Sequence, residues 1–99
     1  MNVETTFIQD LVVLTPDVFE DSRGYFFEGY NKNKLSALGI DIEFVQDNQS
    51  FSQRGTLRGL HYQNPPYAQT KLVRVLQGEI MDVAVDLRKD SPTYGQHFT

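Results

Sequence analysis

A histidine, a lysine and an arginine stand where a bland β-strand would carry apolar side chains. The segment Thr56-Leu57-Arg58-Gly59-Leu60-His61-Tyr62-Gln63 holds Arg58 and His61. Lys71 opens the next alternating run on the face of Val73 and Val75, and Gln46 and Asn48 share a face within Phe44–Phe51. Converging on one space, these five side chains would make a polar, cation-biased pocket inside a β-barrel. Such a pocket suits an anionic ligand, and Arg58 has the fork geometry to clamp a phosphate bidentately. Taken singly, each residue has an ordinary explanation. A strand histidine is most often a hydrogen-bonded structural residue, a lysine at a strand start is solvated or guards an edge, and Arg58 suits a rim. Taken together, the ordinary explanation must cover polar residues on three neighbouring strands. Arg58 and His61 have opposite parity, so a regular strand would send them to opposite faces. Gly59 between them is the natural place for a bulge that resets the register.

Other polar residues read more simply. Asp82 and Asp86 alternate with Met81, Val83, Val85 and Leu87. The apolar set is expected on the core face, with the acids outside or paired with Arg74 or Arg88. Asp21 and Arg23 shape a turn, while the run Arg23-Gly24-Tyr25-Phe26-Phe27-Glu28 could build a base-stacking or partner contact. A metal centre needs at least three protein ligands, and the barrel spacing that supplies them has two histidines one residue apart with a Glu a few residues on. Here His61-Tyr62-Gln63 offers one, and no metal is expected.

The elements that must position these residues are short β-type runs separated by turn residues, the texture of a sandwich or barrel. Strands are predicted at Phe7–Leu14, Tyr25–Tyr30, Phe44–Phe51 and Thr56–Gln63, with a hairpin of Thr70–Gln77 and Glu79–Leu87 about Gly78. Thr15-Pro16-Asp17, Asp21–Gly24, Asn64-Pro65-Pro66 and Asp90-Ser91-Pro92 are turns. The only helix is expected over 31–38: Asn31 or Asn33 can cap it, Leu35 and Leu38 share a face, and Gly39 suits the left-handed residue that follows. Tyr94–Thr99 opens a further β-like segment, so the chain is expected to be cut inside a strand.

Composition sets the outer limits. Ninety-nine residues make a single domain, which buries about 65% of the surface its unfolded chain exposes. Seven Phe and five Tyr in a 39% hydrophobic chain argue for a folded core rather than disorder. The absence of cysteine removes disulfides, thiolate metal sites and thiol nucleophiles. A net charge of −4 speaks against a general nucleic-acid binder. The start lacks a signal peptide's basic and apolar regions, and the longest aliphatic run, Leu11–Leu14, is far too short to span a bilayer, so no membrane association and a cytoplasmic location are expected.

The same residues carry a family pattern. Pro16-Asp17-Val18-Phe19-Glu20-Asp21-Ser22-Arg23-Gly24, Phe44-Val45-Gln46-Asp47-Asn48, Arg58-Gly59-Leu60-His61-Tyr62-Gln63, Gln69-Thr70-Lys71-Leu72-Val73, Gly78 to Arg88 and Ser91-Pro92-Thr93-Tyr94-Gly95 together resemble the N-terminal part of the dTDP-4-dehydrorhamnose 3,5-epimerase family. The resemblance implies an all-β, cupin-type jelly-roll barrel, here incomplete, with no metal or other cofactor. It implies an isomerase of rhamnose biosynthesis. That enzyme inverts C3 and C5 of dTDP-4-dehydro-6-deoxy-D-glucose through enolates, giving dTDP-4-dehydro-L-rhamnose. By resemblance His61 is the general base, fitting because imidazole exchanges protons near neutrality. Lys71 lies near the C4 oxygen, where its charge stabilises an enolate. Arg58 binds the diphosphate, Gln46 and Asn48 line the pocket, and Arg23, Phe26 and Glu28 contact the nucleotide across a homodimer. The family's chain is roughly twice as long, and its tyrosine acid and the aspartate partnering the histidine fall outside these residues.

Two other functions fit the same pattern. One is a single-centre epimerase or ketoisomerase on the same nucleotide sugar. The other is a non-catalytic half-barrel that binds nucleotide or assembles with a partner, favoured for these 99 residues in isolation because a base without its orienting carboxylate and opposing acid is severely impaired.

Overall fold

A computed structural model describes all residues, Met1–Thr99. Three antiparallel hairpins and one helix form its regular part. β1 (Asn2–Thr5) pairs with β2 (Val12–Thr15), and β3 (Val18–Asp21) with β4 (Gly24–Phe27). The helix α1 spans Lys32–Ala37, and β5 (Ala84–Val85) pairs with β6 (His97–Phe98). Residues 40–83 contain turns near 54–55, 65–67 and 76–78 but no strand or helix.

The first hairpin corrects the strand predicted at Phe7–Leu14. Residues 6–11 instead form a turn written largely by one side chain. Thr6 Oγ1 lies 2.9 Å from the Leu11 carbonyl and accepts the Ile8 amide at 3.2 Å, while the Thr6 amide donates to Leu11 O at 3.3 Å. Asp10 adopts φ +69°, which its short polar side chain tolerates better than most. Apolar residues on both sides of this turn made it look continuous. Ile8 then tucks in as one of two buried apolar side chains, Leu35 being the other.

The second hairpin turns through Ser22-Arg23, with Asp21 opposite Gly24. The turn is fixed by Asp21 Oδ1, which accepts the Arg23 amide at 2.8 Å, and by Gly24 at φ +137°. Its pleat puts Phe19 opposite Phe26 on one face, and Val18 opposite Phe27 on the other.

The helix forms as expected. Asn31 caps it, its Oδ1 accepting the Lys34 amide at 3.1 Å. At the far end the Gly39 amide donates to Ser36 O and the Ile40 amide to Leu35 O, with Gly39 at φ +86°. These two bonds are the Schellman arrangement. Leu35 is 2% exposed and anchors the helix.

The strands predicted at Phe44–Phe51, Thr56–Gln63, Thr70–Gln77 and Glu79–Leu87 have no ladder partners within these residues, apart from Ala84–Val85. Gly78 does turn, at φ +81°, but its flanks do not pair. A strand persists only where a neighbour takes up its amides and carbonyls. The chain is correspondingly open. Its radius of gyration is 15.6 Å, against about 13 Å for a closed domain of this length. It exposes 9212 Å², about 1.6 times what a self-contained fold of its mass exposes.

Of the two expectations for Asp86, facing solvent or pairing with Arg74 or Arg88, the structure shows the pairing with Arg88, in a buried position. Asp86 is 4% exposed, while Met81 on the expected core face is 82% exposed. The Arg88 guanidinium grips its carboxylate with Nε–Oδ1 at 2.9 Å and Nη2–Oδ2 at 3.1 Å. The hydroxyls of Ser91 and Thr93 donate to Oδ2 at 2.5 and 2.6 Å. Burial is tolerable because the charge is paired and hydrogen-bonded. Arg88 also donates to the Gln9 carbonyl at 2.9 Å and pairs with Asp10 at 3.3 Å. The cluster therefore ties the turn between β1 and β2 to the loop between β5 and β6.

Candidate active-site cleft

His61 and Lys71 come together although ten positions separate them. They line one open cleft of about 290 Å³ with Tyr62, Gln63, Ala68 and Gln69. The Asn64-Pro65-Pro66 turn brings the two segments together, and the Tyr67 amide closes it by donating to Asn64 O at 2.8 Å. A cleft holding an imidazole beside an ammonium can take a proton from carbon and stabilise the oxyanion that results.

Gly59 lies against His61, two residues before it. It sits at φ +109°, a conformation that L side chains rarely adopt. A Cβ there would lie 3.3 Å from His61 Nδ1 and 3.5 Å from the His61 amide nitrogen. The backbone does turn at Gly59, but no strand runs through it and Arg58 does not join His61 in the cleft, so the expected bulge that would bring the two to one face is not seen.

The remaining predicted residues occupy other places. Arg58 Nε donates to Ser52 Oγ at 2.9 Å and Nη2 to the Phe51 carbonyl at 3.1 Å, so the guanidinium braces its own neighbouring loop. Gln46 Nε2 donates to Asn48 Oδ1 at 3.1 Å, as two residues on one face of an extended run can. None of these three lines the His61–Lys71 cleft. Arg23 and Phe26 line a second hollow of about 290 Å³ at the tip of the second hairpin, with Phe19, Asp21, Gly24 and Tyr25. Arg23 pairs with Asp21 at 2.5 Å, a pairing that lowers the Asp21 pKa and raises that of Arg23. Glu28 turns back to α1, with Oε1 2.7 Å from Lys34 Nζ, and that ammonium holds its carboxyl below the usual glutamate range.

The contact between Arg74 and Phe27 was not anticipated from the sequence. The Arg74 guanidinium lies over the Phe27 ring, 5.3 Å from its centroid. The pairing of Asp86 with Arg88 was among the sequence expectations, but the Ser91 and Thr93 hydroxyls that complete the cluster were not, though all four residues sit within eight positions. No three His, Cys, Asp or Glu side chains lie close enough to share a metal ion, and no helix is long and apolar enough to cross a membrane.

Comparison with known proteins places these features. The family model of dTDP-4-dehydrorhamnose 3,5-epimerase matches residues 5–99. The chain is 56% identical over 97 residues to the dTDP-4-dehydrorhamnose 3,5-epimerase of Shigella flexneri, covering 97% of this chain and 54% of that protein. It is 57% identical over 90 residues to the one of Pseudomonas aeruginosa, covering 90% and 49%. Among solved structures, the Bacillus anthracis enzyme, crystallised with TDP and PPi bound, superposes with a TM-score of 0.94 at 54% identity, covering 98% of this chain and 56% of that one. The Elizabethkingia anophelis enzyme gives 0.91 at 49% identity. These likenesses support the all-β class and a partial cupin-type fold with one short helix. The chain spans about half the length of the curated relatives it matches.

Proposed function

The chain belongs to the dTDP-4-dehydrorhamnose 3,5-epimerase family, and from that premise we propose that it is the base-bearing half of an epimerase acting on a dTDP-linked 4-keto-6-deoxyhexose. The observation that carries this reading is the cleft shared by His61 and Lys71. The C4 ketone acidifies the hydrogens on C3 and C5. Neutral His61 takes one of them, the bond's electrons move into the ring, and the negative charge settles on the C4 oxygen. Lys71 donates a hydrogen bond to that oxygen and stabilises the enolate. Reprotonation from the opposite face inverts the carbon; His61 then gives its proton to solvent, the opposing acid regains one, and a second round inverts the other carbon. The opposing acid and the carboxylate that orients His61 come from outside these residues.

The nucleotide end is assigned to cationic and aromatic groups. Arg58 keeps Nη1 for a diphosphate oxygen while its other nitrogens are braced, and Gln46 and Asn48 line the approach. Arg23 and Phe26 offer a guanidinium and a 67% exposed ring at a hairpin tip, suited to a nucleotide in a second copy's site, with Glu28 at the base of the same strand. The bound TDP and PPi of the Bacillus anthracis structure support an anion-accepting fold. The large exposed area supports a homodimer and further strands from outside these residues. The acidic, cysteine-free composition supports a cytoplasmic protein.

The test is solvent deuterium exchange. In deuterium oxide the complete protein carrying this chain should place label at C3 and C5, and His61→Ala should cut incorporation by about 10²- to 10⁴-fold. Undiminished incorporation would remove His61 from the reaction. NMR of the product separates inversion at both carbons from inversion at one.

A further inference from the structure

The second hairpin is a two-stranded ribbon, an element with marginal stability alone. Its outer face, Phe19 and Phe26, is 65% and 67% exposed. On its other face the Phe27 ring takes the Arg74 guanidinium at 5.3 Å. Phe27 in turn stacks on Tyr25, with centroids 6.0 Å apart and planes 10° from parallel. The guanidinium also fills the space beside Gly29, where a Cβ would lie 3.2 Å from its Nε and 3.3 Å from its Cζ. Arg74 belongs to the segment that carries Lys71, three residues upstream. One cation thus joins the hairpin with Arg23 and Phe26 to the segment that lines the reaction cleft.

We propose that Arg74 is a positioning residue: its guanidinium, clasped against Phe27 and Gly29, sets the angle at which the second hairpin presents Arg23 and Phe26 to the nucleotide. The inference rests on the functional reading above. Arg74 makes no contact with the reaction cleft, so its loss acts on nucleotide binding and leaves the proton transfers alone. The hairpin's angle depends on this contact whichever copy's cleft it serves. Arginine suits the task because a planar, weakly hydrated cation can lie flat on a ring and still fill the space next to a glycine.

The experiment uses the complete protein with the dTDP-linked keto sugar. Arg74→Gln is expected to raise KM about two- to fivefold, the factor that an exposed cation–π contact represents, with kcat unchanged. Phe27→Leu should do the same. The double variant should be no worse than the poorer single one, because both remove one contact. Arg74→Lys, which keeps a cation but loses the planar group beside Gly29, should recover part of the loss and stay short of wild type. Additive losses, a fall in kcat at constant KM, or no rescue by lysine would each overturn the proposal. Hydrogen exchange of the amides of residues 18–27 gives a second reading that does not use activity. Faster exchange in Arg74→Gln supports the clasp, and unchanged exchange overturns it. A wild-type protein that neither turns over the sugar nor binds dTDP would sink the functional reading instead, and the exchange comparison then decides the clasp by itself.

Discussion

Replacing Gly59 by alanine tests whether the backbone beside His61 holds the base in place. Two effects add at this position. At φ +109° an alanine carries backbone strain, worth about 1–3 kcal/mol of stability. The new methyl would also meet His61 Nδ1 at 3.3 Å, the His61 amide nitrogen at 3.5 Å and Cε1 at 3.9 Å. The ring must give by a few tenths of an ångström, and further if the backbone relaxes to shed its strain. A misplacement of about 1 Å can cost a reaction about 10²-fold, so a partial displacement is expected to lower kcat by about tenfold. KM should change less than kcat, because Arg58, the neighbouring group assigned to the diphosphate, is braced by Ser52 and the Phe51 carbonyl. The control is Gly55→Ala. Gly55 sits at φ +84° with nothing within 4 Å of an added Cβ, so it takes the strain without the contact. Urea unfolding should show similar losses for both variants of the complete protein, while steady-state assays show a kcat loss for Gly59→Ala alone. Equal kcat losses, or full kcat in a destabilised Gly59→Ala, would refute the reasoning.

Leu35→Ala should cost about 2–5 kcal/mol in urea unfolding, since Leu35 is the buried anchor of α1, and a loss under about 1 kcal/mol would mean the helix is held by something else. Asp86→Asn should lower the melting temperature through loss of the charge that Arg88, Ser91 and Thr93 satisfy. Those donors, Arg88 first, hold the Asp86 carboxyl well below the usual range, so the folded state binds this proton less readily than the unfolded one. The stabilisation is therefore complete above the ordinary carboxylate pKa of about 4 and is lost as pH falls below it. The melting gap between wild type and Asp86→Asn should be flat from about pH 5 to 8 and narrow in acid, and a gap that widens in acid would contradict the assignment.

Features that depend on near neighbours were legible in the sequence. Asn31, Leu35, Leu38 and Gly39 specified the helix because its cap, face and stop are all settled within four residues. The Asp21–Gly24 turn was legible for the same reason. The run Phe7–Leu14 misled, because the turn inside it is made by the hydroxyl of Thr6, a residue just outside the apolar pattern. Asp86 was half legible: its pairing with Arg88 was expected and its burial was not. Alternation with apolar residues placed it outside, but a carboxylate with its donors supplied can be buried, and two of those donors lie five and seven residues on.

The sequence by itself determined the chemical inventory: an imidazole, an ammonium, cationic forks, exposed aromatics and no thiol, in an order that marks the family. The tertiary structure decided which of these groups meet. It put His61 and Lys71 in one cleft, sent Arg58 to Ser52 and Phe51, paired Glu28 with Lys34, and laid Arg74 on Phe27. The physical reason is range. A cap or a turn is satisfied by atoms a few bonds away, whereas ladder pairing, a shared cleft and a ring under a guanidinium are set only when distant segments are brought together.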